Sequence, residues 1–353
     1  MIALRPCFDA SWRRQKSTAF DLEGNSTSKR TVVFPLWGTE RTFYANANLS
    51  IYSAQACNAR CPFCVEELRP AARGRELAQQ RRVEPNDARY FGALEQSLQA
   101  LAPLDPSISI TGGEPSLDPR LPRLLATLAS FRARKLTLTT NGSGLLDRRQ
   151  GRAVVDHLGA AGARHLNISV AHPNPVVSAQ LMHLPHSLEA SALGEVVRRA
   201  RQAGTRPRLS CVLLADGISD LAGILSYLEF ARSLHVDNVI FRQLMRTSAH
   251  EGSFVVRFCD SKRVLIEPLL NQLERVPDFA LERQIIGYYY YVEVWRWRGI
   301  DVVFEEADLG QLERSKTLRP DLIHELVFHP SAQLASTWQP WDGVLGPIKV
   351  RLA

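Results

Sequence analysis

Short β-rich runs recur along the middle of the chain, and amphipathic helical patterns separate them. Six runs predict strands, over residues 48–56, 107–111, 135–140, 165–170, 208–214 and 238–244. Apolar residues at helical spacing between the strands include Leu121, Leu124, Leu125 and Leu128, and further along Leu221, Ile224, Leu225 and Leu228. This alternation predicts an α/β fold, a partial (β/α)6 barrel of six parallel units.

The flanking segments predict β-hairpins. Residues 31–46 turn around Trp37 and Gly38, and residues 288–304 and 326–337 show similar patterns. We therefore predict an N-terminal extension and hairpin over 1–47, the barrel over 48–244, and a C-terminal region over 245–353 with β-rich capping segments. The aromatic run within 288–297 predicts a half-buried strand, with a stacking platform for a base or peptide as the alternative.

Composition places the chain among ordinary globular proteins, since 45% of residues are apolar and 22% charged. No apolar stretch reaches the roughly 18 to 20 residues of a membrane span, and residues 1–30 lack the apolar run of a secretory signal. We expect a cytoplasmic protein. The net charge of +7 fits an anionic substrate or a nucleic acid, and a solvated basic surface explains it equally well. We expect a small-molecule substrate, which can be anionic, rather than a nucleic acid.

Three of the six cysteines, Cys57, Cys61 and Cys64, lie within eight residues directly after the first predicted strand. This clustering favours metal binding over a disulfide scaffold. Three thiolates on a four-iron cluster leave one iron without a protein ligand. A zinc site completed by a histidine stays open as an alternative. A redox pair of Cys61 and Cys64 fits less well, because it leaves Cys57 without a role.

Further candidates follow the other strands, at the edge where barrel enzymes gather their reactive groups. The glycines of Gly112-Gly113-Glu114-Pro115 allow a ligand to approach the backbone. The guanidinium group of Arg242 can bind a carboxylate through two parallel hydrogen bonds. The remaining candidates, taken strand by strand, are Thr140, Asn141, Asn167, Ser169, His172 and Ser210.

The cysteine loop, with Phe63 before its last cysteine, resembles the radical S-adenosylmethionine superfamily, and so does the Gly-Gly-Glu-Pro motif that follows. The resemblance implies a [4Fe-4S] cluster on the three cysteines and S-adenosylmethionine on its open iron. It implies cofactor contacts from Phe63, Gly112, Gly113, Glu114, Pro115, Thr140, Asn141, Asn167, Ser169, Ser210 and Arg242. His172 and Arg242 are the candidates for substrate contact or proton transfer. The chain departs from many relatives at Ala171, where they carry Asp, and at Ser210, where they carry Asn.

The resemblance also implies a 5′-deoxyadenosyl radical that abstracts hydrogen from substrate, and an electron donor such as a flavodoxin or ferredoxin. Only Cys259 lies beyond Cys211, so we predict a single cluster. We expect a small polar metabolite as substrate, a nucleotide, sugar or amino acid in cofactor or specialised-metabolite biosynthesis. The alternatives are a modifier of a ribosomal peptide, whose leader the basic segment 66–84 would bind, and a non-catalytic zinc-binding module.

Overall fold

The computed structural model describes residues 31–53, 57–64, 83–246, 253–287 and 289–345. Residues 1–30, Tyr288 and all of the basic segment 66–84 except Val83 and Glu84 lie outside this description. Within the described ranges, no helix is both long enough and apolar enough to cross a membrane.

Sixteen strands occur in the described residues, and most of them belong to one sheet. In chain order they are β1 (Thr31–Leu36), β2 (Thr39–Tyr44), β3 (Asn48–Ser53), β4 (Ser107–Gly112), β5 (Lys135–Thr140), β6 (Arg148–Arg149), β7 (Arg152–Ala153), β8 (His165–Ser169), β9 (Arg206–Leu213), β10 (Asn238–Gln243), β11 (Phe279–Ile286), β12 (Tyr290–Trp297), β13 (Ile300–Ala307), β14 (Leu322–Ile323), β15 (Leu326–Phe328) and β16 (Leu334–Ala335).

The α-helices lie mainly between consecutive strands. In chain order they are α1 (Asp87–Ala100), α2 (Leu121–Ala129), α3 (His157–Ala160), α4 (Pro175–Met182), α5 (Ala190–Gln202), α6 (Leu221–Ser233), α7 (Phe254–Lys262), α8 (Ile266–Leu273) and α9 (Leu309–Leu318). Short 3-10 turns cover Ala102–Leu104, Pro115–Leu117 and Val154–Asp156. The predicted helical leucines of α2 are buried, and α5 ends just before Gly204, whose φ of +79° stops the helix.

The central sheet has eleven strands in the order β11-β12-β13-β10-β9-β8-β5-β4-β3-β15-β16. The six predicted strands, β3, β4, β5, β8, β9 and β10, are neighbours in chain order, and each pair is parallel. The chain therefore has a mixed α/β fold, and the β/α alternation is confirmed. Curvature of this sheet into a partial barrel stays a prediction.

The late strands extend both edges of this sheet. The sequence pattern instead predicts that these segments cap the open side of the barrel. β13 pairs in parallel with β10 and carries the hairpin partner β12, whereas β15 pairs in parallel with β3. All three predicted hairpins form, and the first turns at Trp37 and Gly38, both with positive φ. In β12, Tyr291 and Trp295 are buried, as the packed-strand interpretation predicts.

The parallel strands have one apolar and one polar face, because side chains alternate along a strand. Leucine, isoleucine and valine side chains of these strands join the main core together with the buried sides of the helices. The opposite side chains are mostly polar, although Val212, Ile240 and Val303 also lie on this side, where Ile240 and Val303 form a separate apolar cluster with Val294. The polar members form what we call the polar face. We define it by Lys135, Thr137, Thr139, His165, Asn167, Ser169, Arg206, Arg208, Ser210, Asn238, Arg242, Asp301 and Glu305.

The core side of β10 supplies a stability prediction. Phe241 is fully buried, and its ring lies 5.3 Å from the rings of both Phe304 and Tyr227. Phe241→Ala should lower the free energy of unfolding by about 3 to 5 kcal/mol, because it removes a large buried ring and leaves a cavity. Urea denaturation measures this loss. The matched control is Phe254→Ala, since Phe254 is 63% exposed; equal losses in the two variants would contradict the assigned core.

Candidate functional site

The cysteine loop lies just beyond β3, and all three of its cysteines are half-buried. It rests against the end of α4. The Sγ of Cys61 donates to the carbonyl of Met182 at 3.3 Å, and the backbone N–H of Arg60 donates to the carbonyl of His183 at 3.2 Å. Within the loop, the N–H of Cys64 donates to the Cys61 carbonyl at 3.0 Å. The loop is therefore a folded turn that is fixed against α4.

Electrostatics make these thiols a fitting donor set for a cationic centre. The pKa of Cys61 is raised to about 12, mainly by burial and also by the neighbouring Cys64 and Cys57. Iron supplies the positive charge that stabilises such a thiolate. Among the described residues, no three His, Cys, Asp or Glu side chains meet closely enough for one metal ion. A four-iron cluster does not require the three thiolates to meet at one point, since each thiolate binds a different iron atom.

The buried carboxylate of Glu114 joins the ends of two neighbouring strands. It follows β4 and is 1% exposed. It accepts hydrogen bonds from the Ser116 N–H at 2.9 Å and Ser116 hydroxyl at 2.6 Å, from the Asn141 N–H at 2.7 Å, and from the Thr140 hydroxyl. Thr140 and Asn141 end β5, so the carboxylate fixes the edge at which the candidate residues meet.

Close backbone approach explains the glycine that ends β4. Gly112 has a φ of +106°, and a Cβ there would lie 2.7 Å from the Ser53 nitrogen and 2.9 Å from the Tyr52 ring. Both conditions exclude a larger residue. Gly113 follows directly, and Pro115 begins the 3-10 turn in which the chain leaves the edge. The motif therefore has a structural role in bringing β3 and β4 together at the cysteine loop.

Asn58 ties the cysteine loop to the end of β5, and sequence reasoning missed it. Its Oδ1 accepts from the Asn141 Nδ2 at 2.8 Å, and its Nδ2 donates to the Ser143 hydroxyl at 2.9 Å. That hydroxyl in turn donates to the Asn141 Oδ1 at 2.6 Å. The one available signal was the position of Asn58 between two cysteines. Asn141, chosen from the sequence, is thus linked to the loop through Asn58.

Phe63 lies inside a small apolar cluster with Ala171, Met182 and Val256, and it is 9% exposed. Its ring lies 6.4 Å from the ring of Phe258 on α7. The side chain therefore has the packing role that such a residue ordinarily takes. The expected adenine contact concerns the backbone at this position and stays a prediction.

Asn167, Ser169, Ser210 and Arg242 share the polar face. Ser169 and Ser210 are directly opposite each other on β8 and β9, and Arg242 lies 3.8 Å from the carboxylate of Glu305 on β13. The Asn167 amide donates to the Thr139 hydroxyl at 3.2 Å. The structure thus brings the later sequence candidates together on one surface, on the strands that follow the cysteine loop.

His172 belongs to the turn that begins α4. Its Nδ1 accepts a hydrogen bond from the Asn174 N–H at 3.0 Å, and Asn174 caps the helix by accepting from Val176 at 2.9 Å. Burial lowers the pKa of His172. The imidazole is therefore neutral at neutral pH and its contact is structural. A catalytic role for His172 stays a prediction.

Parallel β/α units with a three-cysteine loop after the first strand and Gly-Gly-Glu-Pro after the second define a class of enzyme. Residues 51–223 match the model of the radical SAM superfamily. This part of the chain is therefore a radical SAM domain. The cofactors of the superfamily are a [4Fe-4S] cluster and S-adenosylmethionine, and the donor set of the cysteine loop fits the cluster.

Similar proteins include GTP 3′,8-cyclases. One from Tolumonas auensis is 30% identical over 171 residues, which cover 48% of this chain and 45% of that protein. A probable GTP 3′,8-cyclase from Sulfolobus acidocaldarius is 26% identical over 193 residues, 54% of each chain. The chain therefore spans about half the length of the relatives it matches.

Solved structures of similar fold include Streptococcus suis SuiB bound to its precursor peptide SuiA, with a TM-score of 0.42, 19% identity, and coverage of 56% of this chain and 39% of SuiB. Coproporphyrinogen III oxidase (HemN) from Escherichia coli has a TM-score of 0.43 and 16% identity, covering 71% of this chain and 67% of that enzyme.

The Glu114 network supplies a second prediction. Glu114→Gln should lower the free energy of unfolding by about 1 to 3 kcal/mol, because an amide in place of a carboxylate leaves a buried donor without an acceptor. Urea denaturation measures the change. The control is Glu95→Gln, at an exposed position of α1. A Glu114→Gln variant as stable as the control would contradict the bridging role.

Proposed function

We propose that this enzyme uses Cys57, Cys61 and Cys64 to bind one [4Fe-4S] cluster and acts on a small polar metabolite in a biosynthetic reaction. The observation that carries the proposal is the hydrogen-bonded link from the cysteine loop through Asn58 to Asn141, and from Asn141 to Glu114. This link joins the ligand-bearing loop to the Gly-Gly-Glu-Pro motif at one edge of the sheet.

Different residues at this edge would bind different parts of S-adenosylmethionine. Glu114 and the backbone of Gly112, Gly113 and Pro115 would bind the methionine end, and the backbone at Phe63 would bind the adenine. Contacts from Thr140, Asn141, Asn167, Ser169 and Ser210 would complete the cofactor site. Glu114 supports this role because its Oε2 accepts one described hydrogen bond and a carboxylate oxygen accommodates more than one donor.

We also propose that the central sheet curves as a partial (β/α)6 barrel around its polar face. Support comes from Lys135 and Glu305, which are four strands apart. The pKa of Lys135 is lowered to about 8, mainly by burial and also by the Arg208 and Arg164 charges, while the carboxylate of Glu305 acts in the opposite direction. On a flat sheet, strands so far apart would be separated by roughly 19 Å. The effect of Glu305 on the pKa of Lys135 therefore favours curvature.

Bound together, the reduced cluster and S-adenosylmethionine supply a 5′-deoxyadenosyl radical able to take hydrogen from an unactivated C–H bond. The protein's own contribution is position. The cysteine loop is fixed against the end of β5, and the polar face offers hydroxyl, amide and guanidinium groups to a substrate. Arg242, with its guanidinium near that edge, is the group for a substrate carboxylate or phosphate.

The substrate class rests on this polar surface and on the GTP 3′,8-cyclase relatives, which act on a nucleotide. A nucleotide or another small polar anion is therefore the first substrate to test. A flavodoxin or ferredoxin would supply the electron. Modification of a ribosomal peptide and zinc binding without catalysis remain distinct outcomes of the experiment.

The cluster assignment gives a third prediction. Protein reconstituted anaerobically with iron and sulfide should show a four-iron spectrum and, with dithionite, convert S-adenosylmethionine to 5′-deoxyadenosine. Cys61→Ala should lose that conversion, because it removes one of three thiolate ligands. The matched control is Cys211→Ala, which removes a fully buried thiol on the core face of β9 and should keep the activity.

Chromatographic assay of 5′-deoxyadenosine and metal analysis decide the result. Activity retained by Cys61→Ala would show that the loop does not hold the cluster. One equivalent of zinc, with no four-iron spectrum after reconstitution, would favour the zinc-binding alternative.

Asn58 gives a fourth prediction. Asn58→Ala should release cluster iron to a chelator several times faster than the wild type, because the loop loses its hydrogen bonds to Asn141 and Ser143. Iron transfer to bathophenanthroline, followed by absorbance, measures the rate. Asn58→Asp keeps an acceptor for Asn141 and should lie between the two. Release from Asn58→Ala at the wild-type rate would contradict a positioning role.

A further inference from the structure

The polar face carries more positive than negative charge between β5 and β10. Lys135, Arg208 and Arg242 lie on this surface with His165, and the carboxylate that faces them is Glu305. The other carboxylate of the face, Asp301, pairs with Arg206 at 2.7 Å and with Arg296 at 2.7 Å. The negative charge of Asp301 is thus already neutralised by two arginines.

The cations of this surface repel one another. The pKa of Arg208 is lowered to about 10, mainly by burial and also by the nearby charges of Arg242 and Arg206. The pKa of His165 is lowered to about 3, mainly by burial and also by the charges of Arg208 and Lys135. Repulsion of this kind is relieved when an anion binds among the cations.

Arg208 and Arg242 lie on neighbouring strands but at different heights. The register places Val212 beside Arg242, so Arg208 and Arg242 are offset by four residues, roughly 13 Å along the strands. Both side chains are long, so an anion bound between them can contact both guanidinium groups. The Nε of Arg208 donates a hydrogen bond to the Asn238 Oδ1, and its terminal nitrogens have no hydrogen-bond or ion-pair partner among the described residues.

Some buried polar atoms on this surface also have no hydrogen-bond partner among the described residues. His165 and Asn167 are 7% and 6% exposed, and in the described part of the chain the His165 Nδ1 and Asn167 Oδ1 have no hydrogen-bond partner. The Arg242 Nε, on the next strand but one from Asn167, is likewise buried and unpartnered within that part. Buried polar groups without partners are rare in folded proteins, and a bound ligand is one way to satisfy them.

We propose that the polar face binds the anionic group of the substrate, a phosphate or carboxylate, through Arg208 and Arg242. This proposal rests on the proposed function, for which it names the substrate class. Arg208 and Arg242 hold the charged end, and Lys135 adds a favourable charge beyond them. A neutral or cationic metabolite does not fit this surface.

The test measures anion binding directly on the reconstituted full-length protein. Calorimetric titration uses inorganic phosphate, pyrophosphate and succinate, which separate a phosphate site from a carboxylate site. We expect at least one of them to bind. Arg208→Gln should weaken that binding by at least about tenfold, the effect of losing one charged hydrogen bond. Arg208→Lys retains the charge and should recover part of the affinity.

Controls separate a specific site from general charge. Arg314→Gln removes an exposed arginine from α9 and should bind the anion as the wild type does. The melting temperature of the wild type should rise with the binding anion and not with sodium chloride of equal ionic strength, a readout that needs no variant. The proposal is overturned if no probe binds beyond the salt control, or if Arg208→Gln binds as tightly as the wild type.

The outcomes also separate this proposal from the proposed function. Formation of 5′-deoxyadenosine without anion binding would leave the radical enzyme intact and refute the anion site. Anion binding that depends on Arg208, in a protein that cannot cleave S-adenosylmethionine, would uphold the site and refute the proposed cluster chemistry.

Discussion

The buried carboxylate of Glu114 is the interaction on which the site depends. It accepts hydrogen bonds from Ser116 on its own strand connection and from Thr140 and Asn141 at the end of the next strand. A carboxylate removed from water is unfavourable unless it is fully hydrogen-bonded, so these donors and Glu114 constrain one another. The result is a fixed edge against which the cysteine loop packs, with Asn58 as the second connection.

Two parts of the same sheet have different structural requirements. The edge near Glu114 needs an exact backbone path, which is why Gly112 lies against Ser53 and Tyr52 where no Cβ fits. The polar face farther along the strands needs chemical variety, and it presents cations, amides and hydroxyls from several strands. The exact backbone path and the chemical variety thus belong to different parts of one sheet.

Local pattern predicted much of this molecule. Six strands, the helices α2 and α6 and three hairpins follow from alternation and helical spacing, and each is visible over a few residues. The pairing of β15 with β3 left no such signal, because it joins residues 326–328 to 49–51. Asn58 was missed since a loop has no periodicity, and the cationic surface was missed because residues such as Arg208 and Lys135 meet only through sheet register.

The pairing of β15 with β3 has a consequence for the order of events during synthesis. β3 leads into the cysteine loop and is synthesised well before its outer neighbour β15. Chains fold from the amino terminus as the ribosome releases them, at about 5 to 20 residues per second. The nascent chain therefore carries its cysteine loop next to an edge of β3 that stays unpaired until residues 326–328 follow.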